Sequence, residues 1–165
     1  MMFNKFAAGA TASMTAAMTY MQYQRQRSDR SHAEGRPSVP FFKTGVHLNP
    51  KYEKRYKGGE DACLVSDDKR MVGVADGVGG WGEVDICSGK CSKFLCKKVT
   101  ELYDADNSKT LDNLLLEGHK ALKDNQVEGS TTLVLAKLEA AAEGSKESTM
   151  HTLNLGDSVY MLLRT

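Results

Sequence analysis

Glu60, Asp61, Asp76 and Gly77 carry the chemistry that this 165-residue sequence offers. Ala62–Ser66 (ACLVS) and Met71–Ala75 (MVGVA) are short apolar runs flanking Asp67, Asp68, Lys69 and Arg70, which predicts a β-hairpin with a polar turn. In an antiparallel hairpin the two residue numbers of every pair add to one total. If Ser66 faces Met71, Asp61 therefore faces Asp76 and Glu60 faces Gly77. Directly opposed side chains on one sheet face have Cβ atoms about 4.5–5.5 Å apart, and like charges there repel. Two carboxylates so placed either share a proton or hold a cation between them. Hard divalent ions such as Mg²⁺ and Mn²⁺ take carboxylate and carbonyl oxygens together with water. A glycine after the acid lets a backbone carbonyl approach such an ion closely. A one-residue slip of register would instead turn the acids to solvent, and the pairing argument alone leaves both arrangements open.

The elements that must position these residues follow from periodicity. Gly77, Gly79, Gly80 and Gly82 make a loop around Trp81. Ser88–Tyr103 predicts a helix whose Cys91, Phe94, Leu95, Val99 and Leu102 recur at helical spacing with lysines opposite, and Asp106, Asn107 and Ser108 break it. A second helix is predicted over Thr110–Lys123, striped by Leu111, Leu114, Leu115 and Leu122. After Gly129 the pattern turns to strands: TTLVLAKL, then TMHTLNL, a tight turn at Gly156-Asp157-Ser158, and VYMLL. A strand pair, two helices and three further strands predict an α+β fold with an antiparallel sheet and helices on one face.

Four strings sharpen this picture: GEDAC (59–63), GVADGVGGW (73–81), GSTT (129–132) and NLGDS (154–158), in that order. Together they resemble the metal-dependent Ser/Thr protein phosphatases of type 2C, and the long second string resembles the branch that includes mitochondrial members. The resemblance covers residues 45–165 and implies part of a β-sandwich with flanking helices, with two Mn²⁺ or Mg²⁺ ions at one end of the complete site. It implies that Asp76 bridges both ions, that the Gly77 carbonyl binds one, and that Glu60 and Asp61 hold the same site directly or through water. It implies a structural role for Gly129–Thr131 and for Asn154–Ser158, Asp157 included. The activity implied is hydrolysis of phosphoserine and phosphothreonine in phosphoproteins by metal-activated water.

Two departures accompany the resemblance. The family carries a phosphate-gripping arginine shortly before the acidic pair, whereas here Lys54, Arg55, Tyr56 and Lys57 stand there, so Arg55 or Lys57 is the candidate. The family's later metal-binding motifs, an aspartate in a DG context and a final DN, do not occur before Thr165. The resemblance is thus to the N-terminal half of a catalytic domain. The alternative is a catalytically dead, phosphatase-like module that binds a protein partner completing its fold, as a subunit in an organelle assembly.

Composition sets the outer limits. Hydrophobic residues are 41% and charged residues 26%, ordinary for a globular domain, and the formal charge of +1 lacks the basic excess of a nucleic-acid binder. Four cysteines are too few for a disulfide-stapled scaffold, and no apolar run is long enough for a stable membrane span. Residues 1–28 contain Lys5, Arg25 and Arg27 and no acid. That pattern suits a mitochondrial transit peptide, with a disordered tail in a cytoplasmic protein or a weak anchor as alternatives. A polar linker follows, so residues 1–40 read as a targeting or disordered segment and 41–165 as the phosphatase-like domain. Cys87, Cys91 and Cys96 lack zinc-knuckle spacing and read as free thiols. His119 and His151 read as satisfied structural histidines, Lys51–Lys57 as a solvated loop, and Lys97 and Lys98 as the wet face of a helix.

Overall fold

A computed structural model describes residues 39–84, 86–141 and 147–163. The expected targeting segment and linker lie, up to residue 38, outside the described residues. Four strands, β1 (Asp61–Val65), β2 (Met71–Asp76), β3 (Leu133–Glu139) and β4 (Thr149–Leu155), form one antiparallel sheet in the order β1-β2-β3-β4. Between β2 and β3 run two helices, α1 (Ser88–Ala105) and α2 (Leu111–Asp124). The fold is α+β, as the element order predicts.

Alternation decides which sheet face is buried. Ala62 and Leu64 of β1, Met71 and Ala75 of β2, and Leu133 and Leu135 of β3 all point to one side and are buried. Helix α1 covers that side over β1 and β2 with Cys91, Leu95, Cys96, Val99 and Tyr103. Helix α2 packs on α1 through Leu111, Leu114, Gly118 and Leu122, the i, i+3, i+7 and i+11 positions of one stripe. The Thr110 side chain caps it by accepting from the Asn113 amide at 3.3 Å, and Asp112 and Lys123 match its two dipole ends. Cys91 and Cys96 are buried and Cys87 half-buried, all as free thiols; Lys97 is exposed.

The opposite sheet face is apolar too. Cys63, Val65, Val72, Val74 and Ala136 line a groove of about 510 Å³ there, bordered by Lys43–Leu48 and by Val159 and Tyr160. At the far end of the core, Lys137 is 3% exposed and donates to the Lys109 carbonyl at 2.9 Å. Beside it the Tyr103 hydroxyl donates to Asp68 at 3.1 Å, and burial together with that carboxylate pushes its pKa up to about 12.

Three expectations need correction. Val159–Leu163 (VYMLL) has strand composition but is not a strand: it is exposed, with Val159 and Met161 about four-fifths accessible. Strand propensity needs a ladder partner, and among the described residues β4 has a neighbour only on its β3 side. His119 is exposed on α2 rather than satisfied in the core, whereas His151 does find a partner, Glu139, at 3.1 Å. The basic segment Lys51–Lys57 is not a loop, since Tyr52–Lys57 is a 3₁₀ helix closed by Gly58.

Candidate metal centre

The β1–β2 register places Asp61 opposite Asp76. One step further, the Gly77 amide donates to the Glu60 carbonyl at 3.1 Å, so Glu60 and Gly77 continue the same pairing. These residues lie at the end of the hairpin remote from its turn. The turn itself is closed by the Ser66 amide to the Met71 carbonyl at 2.9 Å, which is the pairing that fixes the register.

Contacts distant in sequence hold the Asp76 backbone. The Thr132 amide and the Thr131 hydroxyl donate to its carbonyl at 2.9 and 3.0 Å, and its amide donates to the Thr132 hydroxyl at 3.0 Å. The Trp81 indole donates to the Ser130 hydroxyl at 2.7 Å, tying the glycine loop to the same segment. The Thr132 hydroxyl also bonds Ser158 at 2.7 Å, which brings the GDS turn alongside. Three of the four strings that carry the family resemblance thus meet around Asp76, and the fourth pairs with it across the hairpin. Thr132→Val keeps the shape but leaves the Asp76 amide without its acceptor. Losing a partly buried hydrogen bond costs about 0.5–1.5 kcal/mol, and urea unfolding is expected to show a loss in that range.

Gly77 is sterically required. A Cβ there would sit 2.7 Å from the Glu60 carbonyl oxygen and 2.9 Å from the Ser88 backbone. The start of α1 is pressed onto the end of β1, and the Ser92 hydroxyl donates to the Glu60 carbonyl at 2.5 Å. The Ser88 hydroxyl is fully buried and faces the Glu60 carboxylate, yet makes no hydrogen bond of ordinary geometry.

The electrostatics of the acids are unequal. Burial, the hydrogen bond to Asp61, and the charges of Asp61, Asp157 and Glu60 together hold the Asp76 carboxyl above the ordinary carboxylate range. Burial pushes Glu60 upward as well, but the hydrogen bond and charge of Lys54, with Lys57 behind, outweigh it and hold its carboxyl below the ordinary value. The Lys54 ammonium bonds Glu60 Oε2, and Lys57 Nζ lies 4.0 Å from Oε1. Arg55 faces elsewhere, donating to the Pro50 carbonyl at 3.3 Å. Lys54 is the cation at the acids, and spacing in the sequence did not single it out.

The donor set suits a hard divalent cation. The largest causes acting on Asp76 are burial and neighbouring carboxylates, so a cation beside it relieves repulsion. Among the described residues no three His, Cys, Asp or Glu side chains converge as a closed ligand group. Magnesium-type sites need no such cage: one or two carboxylates with water and phosphate oxygens are the usual complement.

The half-covered antiparallel sheet, its two helices and the four strings around Asp76 define an α+β domain of the type 2C kind. No family model matches the chain. It is 34% identical over 116 residues to "Probable protein phosphatase 2C 80" of Arabidopsis thaliana, covering 70% of this chain and 26% of that protein. It is 35% identical over 138 residues to "Protein phosphatase PTC7 homolog fig" of Drosophila simulans, covering 79% of this chain and 40% of that protein. With the Drosophila willistoni protein of the same name the match is 34% over 169 residues, 94% of this chain and 52% of the relative. Among solved structures, "X-ray structure of the photosystem II phosphatase PBCP" is similar at 32% identity and a TM-score of 0.48, over 58% of this chain and 37% of that one. The chain belongs to the type 2C protein phosphatase family. It spans about a quarter to a half of the length of these curated relatives.

Proposed function

We propose that this chain supplies one side of a two-cation site that hydrolyses phosphoserine and phosphothreonine in proteins. The observation that carries this reading is the pairing of Asp61 with Asp76, continued by Glu60 and Gly77, at one end of a sheet whose fold and motifs are those of type 2C phosphatases. Asp76, Asp61 and the Gly77 carbonyl would hold Mn²⁺ or Mg²⁺, with Glu60 beside them. When bound, the ions would supply a water made nucleophilic at neutral pH and charge to stabilise the phosphoryl oxygens. The chain's own contribution is to fix the Asp76 backbone through Thr131 and Thr132 and to present ammonium groups to a phosphate dianion. Lys54, which meets Glu60, would make that contact with Lys57 next to it, whereas Arg55 bonds the Pro50 carbonyl. The substrates are phosphoproteins, and the acid-free N-terminal segment directs the chain to mitochondria.

Phosphate release from phosphoserine and phosphothreonine peptides tests the activity. The purified 165-residue chain is expected to release phosphate with Mn²⁺ and to stop on chelation. Silence of the wild-type chain under saturating Mn²⁺ overturns catalysis by this polypeptide alone and favours the second reading, a non-catalytic module that binds a protein partner. The exposed apolar Val159–Leu163 segment supports that alternative. For the location, residues 1–40 fused to a fluorescent protein are expected to enter mitochondria; diffuse cytosolic signal rejects targeting.

A further inference from the structure

The acids at the candidate centre divide into two kinds. Glu60 is 9% exposed and has an ammonium group facing each of its carboxylate oxygens, Lys54 in direct contact and Lys57 at 4.0 Å. Asp61 and Asp76 face each other instead. The Lys54–Glu60 pair also lies against the glycine loop: a Cβ on Gly79 would be 3.1 Å from Lys54 Nζ and 3.4 Å from Glu60 Oε2. Gly79 therefore leaves just enough room for the pair. Both lysines stand on the 3₁₀ helix Tyr52–Lys57, whose last turn is anchored by the Gly58 and Gly59 amides bonding the Arg55 and Lys54 carbonyls, both at 3.0 Å.

We propose that Lys54 is a built-in competitor for the divalent cation: it holds Glu60 as its own counter-ion and keeps that carboxylate from the metal until it is displaced. This inference rests on the metal reading of Asp61 and Asp76 and adds a control on that site. A lysine that only crowds the site electrostatically would weaken metal binding whether or not Glu60 is present. A competitor acts through Glu60 alone. Removing Lys54 frees an acidic ligand, and the benefit disappears if that ligand has been removed as well.

Calorimetric titration of Mn²⁺ into the full chain, without substrate, measures this as a double-mutant cycle. Lys54→Met is expected to bind Mn²⁺ about tenfold more tightly than wild type, the scale of one freed charged ligand. Glu60→Gln alone is expected to bind like wild type, and the double variant to return to that affinity. Lys97→Met, whose lysine faces Glu101 on the outer side of α1, is expected to change nothing. Lys54→Gln, a donor without charge, reproduces the tightening and serves if the methionine variant fails to fold. Equal or weaker binding in the Lys54 variants overturns the proposal and leaves the metal reading standing. A gain that survives Glu60→Gln, or is matched by Lys97→Met, overturns it as a general charge effect. No binding to any variant, wild type included, removes the metal reading and the competitor together.

Discussion

Mn²⁺ is expected to raise the melting temperature of the wild-type chain, and Asp76→Ala to erase that rise. A ligand that binds only the folded state stabilises it by about 2.7 kcal/mol at one hundred times its dissociation constant, well within reach of scanning calorimetry. Asp76 is the group on which the acid cluster converges, with Asp61 opposite and the charges of Glu60 and Asp157 nearby. In the absence of metal its ionised form is disfavoured by the fold, so removing it should not lower the baseline melting temperature through lost attraction. A missing response in a variant that melts like the metal-free wild type is thus specific to binding. Asp157→Ala is expected to keep most of the response, since Asp157 is exposed and only contributes field. Equal Mn²⁺ shifts in wild type and Asp76→Ala would remove Asp76 from the metal centre.

Leu135→Ala is the largest stability loss expected. Leu135 is fully buried on the helix-facing side of β3, between Gly73 of β2 and Leu153 of β4. Truncating a buried leucine costs about 2–5 kcal/mol because the cavity collapses only partly, and in a domain of this size that lowers the melting temperature by roughly ten degrees. Val74→Ala, on the other face and 46% exposed, is expected to cost well under about 1 kcal/mol. Comparable losses at the two positions would mean that the helices do not cover the side described above.

The hairpin was legible because its signal is local. A polar turn of four residues between two apolar runs fixes a register, and the register carries Asp61 to Asp76 without knowledge of the rest of the chain. The helices were legible for the same reason, as apolar residues recurring at helical spacing. What escaped was set at long range or by fine geometry. Thr131 and Thr132 hold Asp76 across more than fifty residues of sequence, and no spacing announces that. Lys54, Arg55 and Lys57 are equivalent as letters; the 3₁₀ turn decides that Lys54 meets Glu60 while Arg55 swings to Pro50. Val159–Leu163 has the composition of a strand, but composition cannot supply the neighbour against which a strand must pair.

β4 has a further consequence, for how the polypeptide behaves while it is being made. Its seven residues, TMHTLNL, contain no Asp, Glu, Lys, Arg or Pro, the residues by which exposed strand edges are commonly guarded. Synthesis proceeds from the N-terminus, so β1 to β4 can close into a sheet as soon as they emerge, with β4 unpaired on its outer side among the described residues and the apolar Val159–Leu163 following it. Nascent chains crowded on one messenger would present these rims to one another. Rapid capture by a chaperone, or by whatever strand comes to lie beside β4, then sets the yield of soluble protein, and turbidity that climbs steeply with concentration is the behaviour to expect of the 165-residue polypeptide produced by itself.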